Sequence, residues 1–310
     1  MRLSGSYPFT TDPDPEEGFA LRVLSLGAGV QSSRLLLGIL EGEFGTPGEE
    51  APSCAVFADT GWESRPVYDW LGFLREHAEA AGFPVHVVSA GHILRDAYTT
   101  RTTREAEGKN GRFASMPLYT YNRGGGDMIM RRQCTHQYKI RPIRRKVREL
   151  AGMAPGRHYP GRYVETWQGI SYDELARIGT SREAWEWRRY PLVERRETRA
   201  DCLRWLEARG HHPPKSACCG CPFRRSAEWL WLKEHDAEGL ASAVAFDEAL
   251  RDEEQMVVFG WDRPAYLHDS RRPLAEVIPE LEVLAEAEAN QGDLFADHGL
   301  MAECAGYCGV

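Results

Sequence analysis

Apolar residues along the chain come in short runs separated by polar stretches of helical period. Residues 21–26 form such a run around Val23, the pattern of a strand buried on both faces. Gly27-Ala28-Gly29 follows, and then apolar positions Leu35, Leu36, Leu37, Ile39 and Leu40 mark one side of a helix opening at Gln31-Ser32-Ser33. Residues 55–58 repeat the strand pattern. Residues 67–81 read as a helix with Trp70, Leu71 and Leu74 on one side and Gly82 as its stop. Further strands are expected at 85–88 and 164–170. Strands alternating with helices at this spacing predict an α/β fold, a twisted parallel sheet with helices on both faces.

Beyond about residue 180 the periodicity is helical, over 226–238, 237–252 and 274–289. Residues 182–199 carry Trp185 and Trp187 among arginines. They are expected as a helix with tryptophans inward, or as aromatics and cations placed to stack bases. The polar, Gly-rich stretch 101–126 has no period and is expected as a substrate loop or a plain insertion. The expected organisation is a leader over 1–20, a nucleotide-binding α/β domain over 21–180, a mainly helical region with a cysteine cluster over 181–295, and a cysteine-bearing tail over 296–310.

Composition adds little until charge and cysteine are located. The 310 residues are 42% hydrophobic and 27% charged, ordinary globular values. No apolar run is long enough to cross a membrane, and the polar, Pro-rich start lacks the apolar stretch of a signal peptide. A cytoplasmic protein is expected. The net charge of −8 argues against general nucleic-acid affinity. Residues 131–148 nevertheless concentrate Arg131, Arg132, Lys139, Arg141, Arg144, Arg145, Lys146 and Arg148, which suits either a phosphate-facing patch or a solvated helix face. Eight cysteines in a cytoplasmic chain point to metal or redox chemistry before disulfides.

Strand, small-residue turn and a helix starting on hydroxyls make a natural phosphate site. The first N–H groups of a helix lack internal partners, and that end carries partial positive charge. No Gly-Lys-Ser/Thr follows the turn, and Ser32 stands where a dinucleotide fingerprint has its last glycine. The segment Gly27, Ala28, Gly29, Val30, Gln31, Ser32 resembles the PP-loop of ATP pyrophosphatases, Ser-Gly-Gly-x-Asp-Ser, with Ala28 in place of a glycine and Gln31 in place of an acid. The Asp59-Thr60-Gly61 sequence after the second strand is similar to the adenylyl-sulfate and phosphoadenylyl-sulfate (PAPS) reductase branch of that family. The resemblance implies an adenine nucleotide alpha hydrolase-like fold. It also implies ATP with Mg²⁺ held by Ser25, Gly27, Ala28, Gly29, Gln31, Ser32 and Ser33, with Asp59, Thr60, Gly61, Gly169, Ser171 and Arg177 approaching nucleotide or substrate.

The cysteines extend the resemblance. Cys218 and Cys221 form Cys-x-x-Cys closed by Pro222, with Cys219 between them. Three cysteines in four residues are poorly explained by packing, and a Pro after the last one recurs in iron–sulfur loops. Cys134 lies among basic residues before a helix start, which favours its thiolate as ligand or nucleophile. Cys134, Cys218 and Cys221 resemble the three-thiolate [4Fe–4S] site of tRNA-thiolating relatives, with Gln31 and Cys134 as catalytic candidates. Four thiolates, with Cys219, Cys304 or Cys308 added, suit a closed cluster or zinc. Glu303-Cys304 resembles the tail of sulfonucleotide reductases, where Cys304 would be the nucleophile.

Three functions therefore stand open. The first is an adenylating, pyrophosphate-releasing sulfur transfer to a nucleic acid, tRNA or DNA, with a sulfur donor protein as a further partner. The second is reduction of a small sulfonucleotide through Cys304. The third is a nucleotide-binding partner module without turnover.

Overall fold

The computed structural model describes residues 18–98, 116–159, 163–259 and 262–290. Five parallel strands form one sheet: β1 (Leu21–Leu26), β2 (Cys54–Asp59), β3 (Val85–Ser89), β6 (Val164–Gln168) and β7 (Glu186–Arg189). Their spatial order is β3-β2-β1-β6-β7. The register pairs Leu24 with Ala55 on one side of β1 and with Trp167 on the other. The chain runs outward from β1 through β2 to β3, then returns to place β6 on the opposite side. The β1–β6 boundary is thus where strand order reverses, the place at which open α/β sheets bind ligands.

Alternation along the strands sorts the core into two layers. Leu24, Leu26, Ala55, Phe57 and Trp167 pack under α1 (Val30–Leu40) and α2 (Arg65–Ala80). Val23, Cys54, Val56 and Val164 pack on the other face against Val147 of α4 (Arg141–Leu150). Between them the chain makes a short α3 (Ile93–Ala97) and a two-stranded hairpin, β4 (Tyr119–Tyr121) with β5 (Asp127–Ile129). The α/β fold with helices on both faces is as the periodicity predicts.

Several expected boundaries are corrected. Residues 182–199 are not one helix: β7 forms the sheet edge, followed by the single turn α5 (Pro191–Glu194). Trp187 pairs in register with Glu165 of β6, so pairing with a neighbouring strand overrides the local helical reading. Among the arginines here, Arg189 is engaged with Glu194 at 2.8 Å and Arg195 with Glu197 at 2.7 Å. The α/β unit therefore extends past residue 180, and α6 (Arg199–Glu207) adds Cys202 and Leu206 to the layer under α1. Within 101–126 the described residues start at 116 and include the short strand β4, Tyr119–Tyr121, followed by a turn.

The remaining helices, α7 (Ser226–His235), α8 (Ala237–Ala249), α9 (Glu253–Phe259) and α10 (Leu274–Asn290), build a second core around Trp62, Trp229, Leu240 and Phe246. Among the described residues no helix is long and apolar enough to cross a membrane.

Candidate functional site

The turn after β1 is a compact ring closed on the Ser32 hydroxyl. The Gly27 and Gly29 N–H groups donate to Ser32 Oγ at 3.1 and 3.3 Å, and Ser32 Oγ donates to the Gly29 carbonyl. Ser33 is fully buried and its Oγ accepts from Trp70 Nε1 at 2.9 Å. Ala28 has φ +54°, the left-handed region that favours glycine, and its side chain is fully buried. Ser25, also buried, is aligned with Gln168 across the β1–β6 pair. Gly169, just after β6, is pressed against the turn: a Cβ there would stand 2.8 Å from the Ser32 nitrogen. Turn and strand end are in backbone contact, which closes one wall of the reversal crevice.

Gln31 does not present itself as a reactive group. It is 1% exposed. Its Nε2 donates to Glu174 Oε2 at 2.8 Å and to Ser171 Oγ at 3.3 Å. Glu174 Oε1 in turn holds Arg177 Nη1 at 2.6 Å. Gln31, Ser171 and Arg177 are thus brought together, with Glu174 as the shared partner that sequence reasoning left without a role.

The end of β2 carries the second half of the site. Asp59 accepts from the Gly61 N–H at 2.7 Å and from the Tyr68 hydroxyl at 2.8 Å. Burial, and then the bond to Asp59, raise the Tyr68 hydroxyl above its usual range and keep it a donor. Gly61 has φ +74° against the His92 ring. Thr60 Oγ1 donates to Glu63 Oε1 at 2.9 Å and lies 3.3 Å from Cys218 Sγ. Buried Glu63 also pairs with Lys139 Nζ at 3.3 Å.

Backbone pairing fixes the cysteine loop to this strand end. Glu63 and Cys218 form an antiparallel bridge, and the Cys219 N–H donates to the Trp62 carbonyl at 2.8 Å. Arg224, 6% exposed, donates to the carbonyls of Ala217, Cys218 and Cys219. A Cβ on Gly220 would overlap the Trp62 ring at 2.1 Å, so the loop closes only on glycine. Cys134 caps a π-helical turn, Thr135–Ile140, a distortion frequent at functional sites.

Cys134, Cys218 and Cys221 line one cavity together with Thr60, Lys139 and Arg132. It encloses about 460 Å³, its solvent-open part included. Three thiols stand there beside two cations, of which Lys139 is paired with Glu63 and Arg132 bonded to Thr135. Among the described residues, however, no three His, Cys, Asp or Glu side chains are gathered closely enough to hold a metal. Cys219 is placed elsewhere, in correction of its expected ligand role. It is 2% exposed in the helical core, Sγ 3.9 Å from Asp236 Oδ2, and burial pushes its thiol up to about 12. Cys304 lies outside the described residues, as do Cys308, the leader over 1–17 and the stretch 101–115.

The basic run 131–148 is largely spent inside the fold. Lys139 serves Glu63, Arg144 pairs with Glu183, Lys146 with Glu149, and Arg148 reaches the carbonyls of Ala154 and Arg157. Arg141 and Arg145, four apart on α4, remain exposed.

Sequence reasoning gave no role to Glu63 and Arg224. Both had a signal, one sitting two residues after Asp-Thr-Gly and the other three after the last clustered cysteine. No family model matches this chain, and no curated protein matches it.

Proposed function

We propose that the chain is a PP-loop ATP pyrophosphatase of the PAPS reductase-like branch that adenylates an acceptor and transfers sulfur to it. The observation that carries this reading is positional. The ring after β1 and the three-thiol cavity stand at the carboxyl ends of two adjacent strands, β1 and β2. Strands pair about 4.8 Å apart, so one substrate can touch both.

ATP would lie with its β,γ-phosphates at the start of α1, where the helix end favours negative charge beside Ser32, whose Oγ gathers the Gly27 and Gly29 N–H groups. An acceptor oxygen attacks the α-phosphorus, the bond to the bridging oxygen breaks, and pyrophosphate leaves with the electron pair. The same helix end offsets its charge as it forms. AMP on the acceptor oxygen is then the leaving group that an incoming sulfur displaces. Cys134, Cys218 and Cys221, which line one cavity, are the thiols that would hold an iron–sulfur centre, and that group would supply sulfur-transfer chemistry. Lys139 and Arg132 on the same wall favour anionic sulfur there. The acceptor class is a nucleic acid base or phosphate, supported by exposed Arg141 and Arg145.

The test is pyrophosphate release from ATP by anaerobically purified protein, wild type against Ser32→Ala. Loss of release in the variant supports adenylation; equal rates remove it. Binding of ATP with no turnover in iron-replete protein selects the non-catalytic module.

A further inference from the structure

Arg199 opens α6, and its guanidinium has nothing opposite it. The residue is 7% exposed. Its Nε is buried with no hydrogen-bond partner among the described residues, and no carboxylate among them pairs with the group. Burying a guanidinium takes a charge out of water, which destabilises the fold unless a partner answers it. The place is unfavourable as well, since the start of a helix carries partial positive charge. Nor is the side chain needed to cap the helix. Thr198 Oγ1 accepts from the Asp201 N–H at 3.2 Å, and Asp173 Oδ1 takes the Arg199 N–H at 2.9 Å. Two neighbouring cations are engaged, Arg34 by Glu43 and Glu197, Arg177 by Glu174.

The surroundings of Arg199 point to a ligand. α6 buries Arg199, Cys202 and Leu206, which share one face, and Cys202 and Leu206 pack in the layer that holds α1. At one end Arg209, just past α6, pairs with Glu41, just past α1. At the other end the segment after β6 joins the two helix starts. Ser171 Oγ accepts from Gln31 Nε2 at 3.3 Å, the Tyr172 N–H donates to the Glu197 carbonyl at 2.8 Å, and Asp173 takes the Arg199 N–H. The helices thus run side by side in the same sense. Arg199 stands on the inward face of α6, at the end beside the Gly27–Ser33 turn. That turn contains no lysine or arginine. We propose that Arg199 is the cation of the phosphate site: its guanidinium receives an oxyanion of the phosphate chain held at the start of α1. The Nη groups are the point of contact, because Nε alone is sealed off. The inference rests on the nucleotide-binding reading of the turn and adds to it the residue that selects phosphate-bearing ligands.

Calorimetric titration of the full chain with ATP, pyrophosphate and adenosine tests this without requiring turnover. Wild type is compared with Arg199→Met and Arg199→Lys, and urea midpoints are measured with and without pyrophosphate. Arg199→Met is expected to bind ATP and pyrophosphate about tenfold or more weaker, the loss of a charge-assisted hydrogen bond, with adenosine affinity unchanged. Arg199→Lys is expected to retain part of the affinity, since the charge stays and the planar fork is lost. Without ligand, the urea midpoint of Arg199→Met is expected to equal or exceed that of wild type, because an unpaired buried charge is gone. Pyrophosphate is expected to raise the wild-type midpoint and not that of Arg199→Met. Undiminished ATP affinity in Arg199→Met overturns the proposal. So do an equal loss for adenosine and a ligand-free Arg199→Met less stable than wild type, either of which makes Arg199 a structural residue. Wild type that binds neither ATP nor pyrophosphate removes the nucleotide reading itself. Wild type that binds both, with Arg199→Met indistinguishable from it, removes only the role of Arg199.

Discussion

Replacing Gly169 by alanine tests whether the contact between the β6 end and the phosphate turn is what shapes the site. The added Cβ would lie 2.8 Å from the Ser32 nitrogen, 3.0 Å from its Cα and 3.1 Å from the Gln31 carbonyl carbon. All three are backbone atoms, so no side chain can rotate away. Ordinary contact begins near 3.4 Å, and the turn must therefore retreat by several tenths of an ångström. Such overpacking costs about 1–3 kcal/mol, to be read as a lower urea midpoint with an unchanged slope. The retreat acts on the segment that places the Gly27 and Gly29 donors on Ser32. On the proposed nucleotide reading, misplacement on that scale lowers ATP affinity by about tenfold or more. The control is Gly72→Ala in α2, where a Cβ meets nothing within 4 Å. It should gain up to about 1 kcal/mol from helix propensity and leave ATP affinity unchanged. A Gly169→Ala protein with wild-type stability and wild-type ATP affinity would refute the assignment of this contact.

Three further outcomes follow from the same geometry. Ala28→Gly should leave the fold within about 1 kcal/mol of wild type in urea denaturation, because the left-handed strain that glycine relieves is offset by the loss of a fully buried methyl. Lys139→Met leaves Glu63 as a buried carboxylate without its ammonium partner, 3.3 Å away in the wild type, and should cost about 3–5 kcal/mol; the added change Glu63→Gln should recover part of it. In reduced, metal-free protein, iodoacetamide at pH 8 should label the partly exposed Cys134, Cys218 and Cys221 before Cys54, whose thiol burial pushes up to about 11. Because that folded value is raised, the stability Cys54 contributes is present at pH 8. It declines as the pH climbs from the unfolded thiol value toward 11, and a titration of the urea midpoint over that range checks the sign.

The central strands were legible because burial on both faces concentrates apolar residues, as in Leu21–Leu26, where only Arg22, paired with Glu165, and Ser25 interrupt them. The edge strand β7 was not, since Glu186 to Arg189 is polar and only pairing with β6 makes it extended. The cysteine cluster was legible as chemistry but not as geometry. Cys218 is drawn into bridge pairing with Glu63, and successive residues of an extended segment point to opposite sides. Cys218 therefore faces the cavity while Cys219 enters the helical core, which no spacing rule distinguishes without knowing that the segment pairs. Gln31 was legible only as a departure from an acid. Its partner Glu174 is a distant residue with no local pattern to mark it.

One short segment, Thr60 to Arg65, follows β2 and joins it to the cysteine loop. Its start ends β2 beside the phosphate turn; its Trp62 carbonyl takes the Cys219 N–H, and its Trp62 indole donates to Ser242 Oγ of α8 at 2.9 Å. The Arg65 N–H then donates to Asp236 Oδ2 at 2.8 Å, at the start of the same helix. The helical part is thus fastened to the sheet at the strand end where Thr60 and Glu63 face the cavity. One strand end, that of β2, thus carries the cysteine loop and pairs next to the strand that leads into the Gly27–Gly29 turn, the arrangement on which the proposed joint site rests.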